Sequence, residues 1–326
     1  MPRHICLLAG ALLLSAPLVA AEPALDPEGL LIYMPTIGAA VGIGGAYLLL
    51  AAVHFFHIFR SGAKWGLCLP IGGLFAALGW LLRLPVRTNQ RSTPLYAVQQ
   101  LFIVLSPAAF LAFNYILYGR LIVAIDKSID MGGKKRQRSE FSPIPPRIVG
   151  RLFVWSDVIT FLVQCAGGGM QATDMHETGT KIFLVGVILQ GVSYLIFTVL
   201  SLTAHFRLRR LDRVFAFRNL FASHPTLRLL LAIYIASVLI LVRSVFRIVE
   251  ASEGYGGPLM ANEHWLIFLD ALPLLLAVAI WAVLWPSALL EESSTLAAQR
   301  HEMRGLAGGD CEQVASSERA SIAKPF

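Results

Sequence analysis

Two arginines and a glutamate, Arg243, Arg247 and Glu250, stand at i, i+4 and i+7 directly after the uncharged run LLLAIYIASVLILV. On a helix that spacing puts all three on one face. The next apolar run carries an acid, Asp270, about one turn inside its start. The chemistry open to such a set is ion pairing and recognition of a polar group. Arg243 and Asp270 lie deep enough to be either a structural ion pair or part of a pathway. Arg247 and Glu250 have a plainer reading, in which they snorkel to the lipid interface. Arg83, Gln99 and Gln100 fall at the same expected depth and would complete a polar vestibule at one end of a bundle.

A second set falls deeper or toward the opposite end. His54, Asn114 and Asp157 are expected near one level and could meet there. Gln164 and Gln190 fall near the middle. Asp157, Thr160, Gln164 and Gln171 form one helical stripe, and Gln190, Tyr194, Phe197 and Ser201 form another. Amides facing lipid would be left without partners, so these stripes should turn inward, either as glue between helices or as the wall of a pathway. His54 and His57 in HFFH are poorly placed for a metal, and no other metal-ligand spacing occurs. The glycines at 167–169 permit close packing or a break, and they lack the lysine and hydroxyl of a phosphate loop.

These residues must be carried by membrane helices. Of 326 residues 56% are hydrophobic and 14% charged, against about 25% charged in soluble domains. Seven runs are long and apolar enough to span, at Tyr33–Phe59, Gly66–Leu84, Ala97–Val123, Leu152–Met170, Lys181–Phe206, Arg228–Ile248 and Trp265–Ser287. The runs are continuous rather than alternating, which excludes a barrel of strands. The fold class expected is all-α, a polytopic bundle occupying residues 32–288.

Topology explains the net charge of +7 better than nucleic acid does. Arg60, Lys64, the KKRQR cluster and RLRRLDR fall on one side, whereas the last loop of the other side has no lysine or arginine. The basic side is expected to be cytosolic, with the N-terminus outside and the C-terminus inside. Residues 1–21 read as a cleaved secretory signal peptide and 22–31 as a short extracellular segment. Residues 289–326 read as a disordered cytosolic tail. The basic loop at 124–149 could attract anionic headgroups or could simply determine topology. Cys6, Cys68, Cys165 and Cys311 are expected to form no disulfide. No cofactor is expected.

Several stretches together look familiar. YMPTIGAA at Tyr33, LFIVLSPAAFLAFNYILYGRLI, FVWSDVITFLVQCAGGGM, GVILQGVSYLIF and RSVFRIVEASEGYGGPLMANEHWLIFLD are similar to motifs of the fungal lipid-translocating exporter family. These are seven-helix proteins linked to aminocholesterol resistance, sphingoid-base release and porphyrin uptake. The resemblance covers about residues 30–288. It implies a plasma-membrane protein that moves, releases or confers tolerance of amphipathic lipids or drug-like molecules. It selects Asp157, Gln164, Gln190, Arg243, Arg247, Glu250, Glu263 and Asp270, adding Glu263 to the residues chosen by depth. Two positions depart from the family pattern. Thr36 stands where serine is usual, and Ala76 replaces a glutamate three residues before Gly79, which removes a charge partner from the second span.

Three functions compete. A transporter of a cationic amphiphile would use Asp157 and Asp270 to meet the amine, and without an ATP-binding motif it would need an ion gradient or a partner. A seven-helix sensor of membrane lipid state fits the topology equally. The third span ends LYGRLI rather than in an acid–arginine–tyrosine motif, and the seventh has no lysine for a retinal Schiff base. An enzyme is the weakest reading, because no nucleophile motif or metal cluster is evident.

Overall fold

The computed structural model describes residues 25–26, 31–126, 139, 142–171, 175–211, 215, 219, 224–254 and 257–299. The expected signal peptide, most of the segment after it, the KKRQR cluster and the tail beyond residue 299 lie outside the described residues, as do Cys6 and Cys311. Cys68 and Cys165 are both free thiols.

Among the described residues seven helices are long and apolar enough to cross a membrane. They are α1 (Ile37–Ser61), α2 (Lys64–Thr88), α3 (Thr93–Ile125), α4 (Pro146–Gln171), α5 (His176–Leu211), α6 (Pro225–Glu253) and α7 (Glu263–Val283). No strand occurs among the described residues. The protein is therefore an all-helical, multi-pass membrane protein. Each helix packs on its neighbours in the chain, and α7 returns against α1 as well as α6, so the ring closes. The helix with the largest buried share is α3. Apolar side chains on the outside are bare, among them Leu162, Val199, Val238 and Val245. In water that would be costly, but against acyl chains it is the favourable arrangement.

The helices overrun the expected spans at several ends. The second continues through Arg83–Thr88, and the fifth extends from His176 to Leu211. Charged residues at these ends end the apolar run but not the backbone hydrogen bonding. The polar tail expected from residue 289 is helical through residues 286–299. Leu289 and Ser293 are buried there, and Thr226 Oγ1 donates to Ser293 Oγ at 3.1 Å.

In the following, the upper end of the bundle is the one where the odd-numbered helices begin. Around the middle and lower half the core is aromatic. Tyr115, Tyr118, Phe153, Tyr194 and Phe197 pack ring against ring, with Tyr115 and Phe197 centroids 4.7 Å apart. Phe113 bridges Trp65 and Trp281. Such edge and offset contacts each add about 1 kcal/mol beyond burial.

The α4–α5 pair is drawn close by absent side chains. A Cβ on Gly167 would meet the Phe183 amide nitrogen at 2.4 Å, and one on Gly186 would meet Gln164 Cγ at 2.7 Å. Of the two readings open for the glycine run, the structure takes close packing within an unbroken helix.

Candidate functional site: an ionic belt beside an open upper cavity

Helix α6 presents Arg243, Arg247 and Glu250 on one face, as their spacing dictates. Arg247 Nη1 donates to Glu250 Oε2 at 2.8 Å, one turn away. Asp270 of α7 receives both arginines. Arg247 Nε donates to Asp270 Oδ1 at 2.7 Å, and Arg243 Nε lies 2.9 Å from the same oxygen without hydrogen-bond alignment. Arg243 and Asp270 are buried and Arg247 is mostly so. Two cations on one carboxylate make a triad that offsets its desolvation only by staying complete.

A feature of α7 that periodicity did not disclose aims Asp270. Residues Leu266–Ala271 form a π-helical segment. Pro273 follows it and has no backbone N–H for the helix ladder. The wider turn absorbs that loss and rotates Asp270 relative to a regular helix. Tyr47 of α1 donates its hydroxyl to the Ala271 carbonyl at 3.4 Å. Pro273 was the available sequence signal.

A second ionic group closes the belt between α2, α7 and the segment before α1. Glu263 Oε2 accepts from the Thr36 amide at 2.9 Å and from Thr36 Oγ1 at 2.8 Å. Its other oxygen lies 3.2 Å from Arg83 Nη2, which also donates to the Tyr33 hydroxyl. The Arg83 guanidinium sits 4.7 Å from the Trp80 ring centroid. Arg87 donates to the Pro35 carbonyl at 2.6 Å. Ala76 is packed in the core, so the second span supplies Arg83 alone and its acid comes from α7. The Thr36 hydroxyl and amide hold the other Glu263 oxygen.

Beside the belt, and lined in part by Arg83, Arg247, Glu250 and Asp270, lies a cavity of about 690 Å³. Its walls come from the starts of α3 and α5, the ends of α4 and α6, and the 31–35 segment. Apolar walls include Leu31, Ile103, Val104 and Phe183, while Arg83, Gln99, Arg247 and Glu250 give it a polar side. Val98 and Leu101 of α3 line the cavity and are 43% and 40% exposed, so it reaches the lipid-facing surface beside that helix. Gly168 and Gly169 also line it and have nothing within 4 Å of an added Cβ. A volume of this size is typical of sites for small organic ligands.

Gln164 Nε2 donates to Gln190 Oε1 at 3.1 Å, so the two expected mid-span amides do meet. They border a smaller void of about 30 Å³ together with Arg243 and Arg247. Asp157, two turns further down the Gln164 stripe, lines neither cavity. Its carboxylate is buried beside the Tyr115 hydroxyl and interacts with it, without well-aligned hydrogen-bond geometry. Asn114 Nδ2 donates to Tyr194 OH at 3.1 Å, and that hydroxyl also bonds Ser237 at 3.2 Å.

His54 does not join this group through any hydrogen bond. Its Nδ1 faces the Leu50 carbonyl at 2.5 Å, and its ring stands 6.0 Å from Trp285. His57 Nε2 faces the Ala282 carbonyl at 3.0 Å. Among the described residues no group of three or more His, Cys, Asp or Glu side chains could hold a metal. The belt thus gathers Arg243, Arg247, Glu250, Asp270 and Glu263, and leaves His54, Asn114 and Asp157 in the packed half. Depth counting missed Arg83 as the partner of Glu263, and only its place at the end of an apolar span marked it.

The protein RTM1 of Saccharomyces cerevisiae is 28% identical over 75% of this chain and 72% of its own length. Protoporphyrin uptake protein 1 of the same species is 26% identical over 65% of each chain. The probable lipid transporter atnI of Emericella nidulans is 25% identical over 79% of this chain and 67% of its own. No solved structure matches. The family described as RTA1 like protein matches residues 69–293, which carry α2 through α7 and every residue of the belt except Thr36 and Tyr33, and the chain belongs to that family.

Proposed function

We propose that this protein takes an amphipathic, lipid-like molecule from the membrane into the upper cavity and moves or releases it across the plasma membrane, with the upper end facing outside. The observation that carries this reading is the cavity itself. It has apolar walls for a chain or ring system, a polar side formed by the ionic belt, and an opening beside α3 toward the acyl chains. Relatives named as a probable lipid transporter, a sphingoid long-chain base transporter and a protoporphyrin uptake protein support transport of lipid-like compounds. Sphingoid-base-like and sterol-like molecules are the candidate cargo, and the relatives' transporter names favour a carrier over an enzyme. Anionic lipid headgroups at the basic loops are proposed as a further contact.

A sensor of membrane lipid state is a second reading, and one observation favours it. The aromatic cluster of Tyr115, Tyr118, Tyr194 and Phe197 closes the bundle below the cavity, as in a protein that binds a ligand from one side only.

Reconstitution separates the two. The purified full chain in liposomes should accelerate exchange of a fluorescent long-chain lipid between leaflets. Gly168→Trp, which adds an indole at a cavity-lining position where an added Cβ meets no atom within 4 Å, should slow exchange at least tenfold. Saturable binding without any exchange would favour the sensor. Exchange unaffected by Gly168→Trp would remove the cavity from the mechanism.

A further inference from the structure

The acids of the belt are matched by cations, and the acid of the packed half is not. Asp270, Glu250 and Glu263 each have an arginine nitrogen within 3.2 Å. Asp157 of α4 is buried as deeply, and no basic side chain acts on it among the described residues. Helix α4 packs against α3 and α5. The titratable groups those helices turn toward Asp157 are Tyr115 and Tyr194. Asn114, Ser193 and Ser237 beside these tyrosines are neutral, as are Thr160 and Gln164 on the buried stripe of α4 itself. From this contrast we propose that Asp157 binds a proton while the lower half is closed and releases it when that half opens, so that cargo movement is linked to proton exchange with the upper cavity. This rests on the transport reading and adds to it the ion that shares the path.

The physical case has two parts. A carboxyl group that holds its proton both donates and accepts, which matches a shell of hydroxyls and amides. A carboxylate only accepts, and burying it without a cation is costly. The closed, ring-filled half suits the neutral form, and the charged form needs water around it. Acids inside membrane bundles serve as proton relays on this ground. A route for the water is also present. Gln164, two turns above Asp157 on the same stripe, lines both the large cavity and the void of about 30 Å³. That void has room for about one water molecule and offers Gln190, Ser244 and Arg247 as partners. The Gln164–Gln190 bond crosses the way down. Breaking it admits water to Asp157, and the proton passes to that water. The open state then holds one proton fewer, so opening is favoured as pH rises through the range in which Asp157 titrates.

Two measurements on the full chain in liposomes test this. Infrared difference spectra in heavy water report the C=O stretch of a protonated carboxyl group directly. The parent should show a buried-carboxyl band that disappears with rising pH and is missing in Asp157→Asn. Exchange of a fluorescent long-chain lipid with a quaternary ammonium head, whose own charge is independent of pH, is followed over the same range. It should rise with pH by up to about tenfold per unit, the limit for one linked proton, and share its midpoint with the infrared titration. Asp157→Asn should hold exchange at the low-pH level throughout, and Asp157→Glu should restore the dependence. Tyr115→Phe should move both midpoints together.

Spectra of the parent and Asp157→Asn that coincide overturn the proton site. A pH profile of exchange that survives in Asp157→Asn overturns the link to transport. Should Asp157→Asn fail to fold, Asp157→Glu carries the comparison, and an unshifted band and profile in it overturn the assignment. If the band titrates as expected but the parent exchanges no lipid at any pH, the transport reading fails and the link with it, while the proton site stands.

Discussion

The two halves of this bundle solve the same problem in opposite ways. Both must fill the space between seven helices in a medium that offers no hydrogen bonds. The lower half fills it with rings, packing Tyr115, Tyr118, Phe153, Tyr194 and Phe197 into one cluster. The upper half leaves it open and rims the opening with ion pairs, Arg243 and Arg247 on Asp270 and Arg83 beside Glu263. Rings give cohesion that does not depend on water. Ion pairs cost more to bury, but they present fixed charge to anything that enters. Under the proposed function, the lower half supplies stability and the upper half recognition.

The comparison can be broken most severely from below. Phe197 is fully buried and touches four other rings. Phe197→Ala should cost about 4 kcal/mol, read as the loss of unfolding free energy in detergent, while the protein that remains folded keeps its affinity for amphiphile. Lost affinity at unchanged stability would reverse the division.

Next in size is Asp270→Asn. It leaves Arg243 buried without a full counter-charge and should cost about 3 kcal/mol. Adding Arg243→Met should recover part of that loss, because it removes the stranded cation. A double variant less stable than the single would show that Arg243 holds the fold through some contact other than Asp270.

The smallest effect is expected at Asp157. It is the one acid of the predicted set that the belt does not gather, and the Tyr115 hydroxyl beside it can meet an amide as well as a carboxyl group. Asp157→Asn should leave stability within about 1 kcal/mol of the parent, since an amide of nearly the same shape replaces the carboxyl group in the same buried site. A large loss would mean that Asp157 carries an interaction essential to the packed half.

What could be read beforehand follows the range of the interaction. The seven spans are legible because each is a local run of apolar residues. The Arg243, Arg247, Glu250 face is legible because it obeys the helical repeat, and Asp270 because it falls at the matching depth. Depth, however, says nothing of the direction a side chain takes around the ring. Depth groups His54 with Asn114 and Asp157, yet it bonds its own helix and its ring lies tilted against Trp285. The Arg83–Glu263 contact spans 180 residues of chain, and only the resemblance pointed to Glu263 at all. The π-helical turn that aims Asp270 shifts the register within a single helix, which a fixed 3.6-residue repeat cannot express.

The most direct test is to map where an amphiphile rests. A long-chain amphiphile bearing a diazirine in its chain is photolysed with the full protein in nanodiscs, and the labelled peptides are sequenced. Labels should fall within residues 96–104 and 164–183, compete with unlabelled amphiphile and vanish in Gly168→Trp. Labels confined to lipid-facing positions such as Val238 and Val245, and indifferent to competitor, would contradict the account.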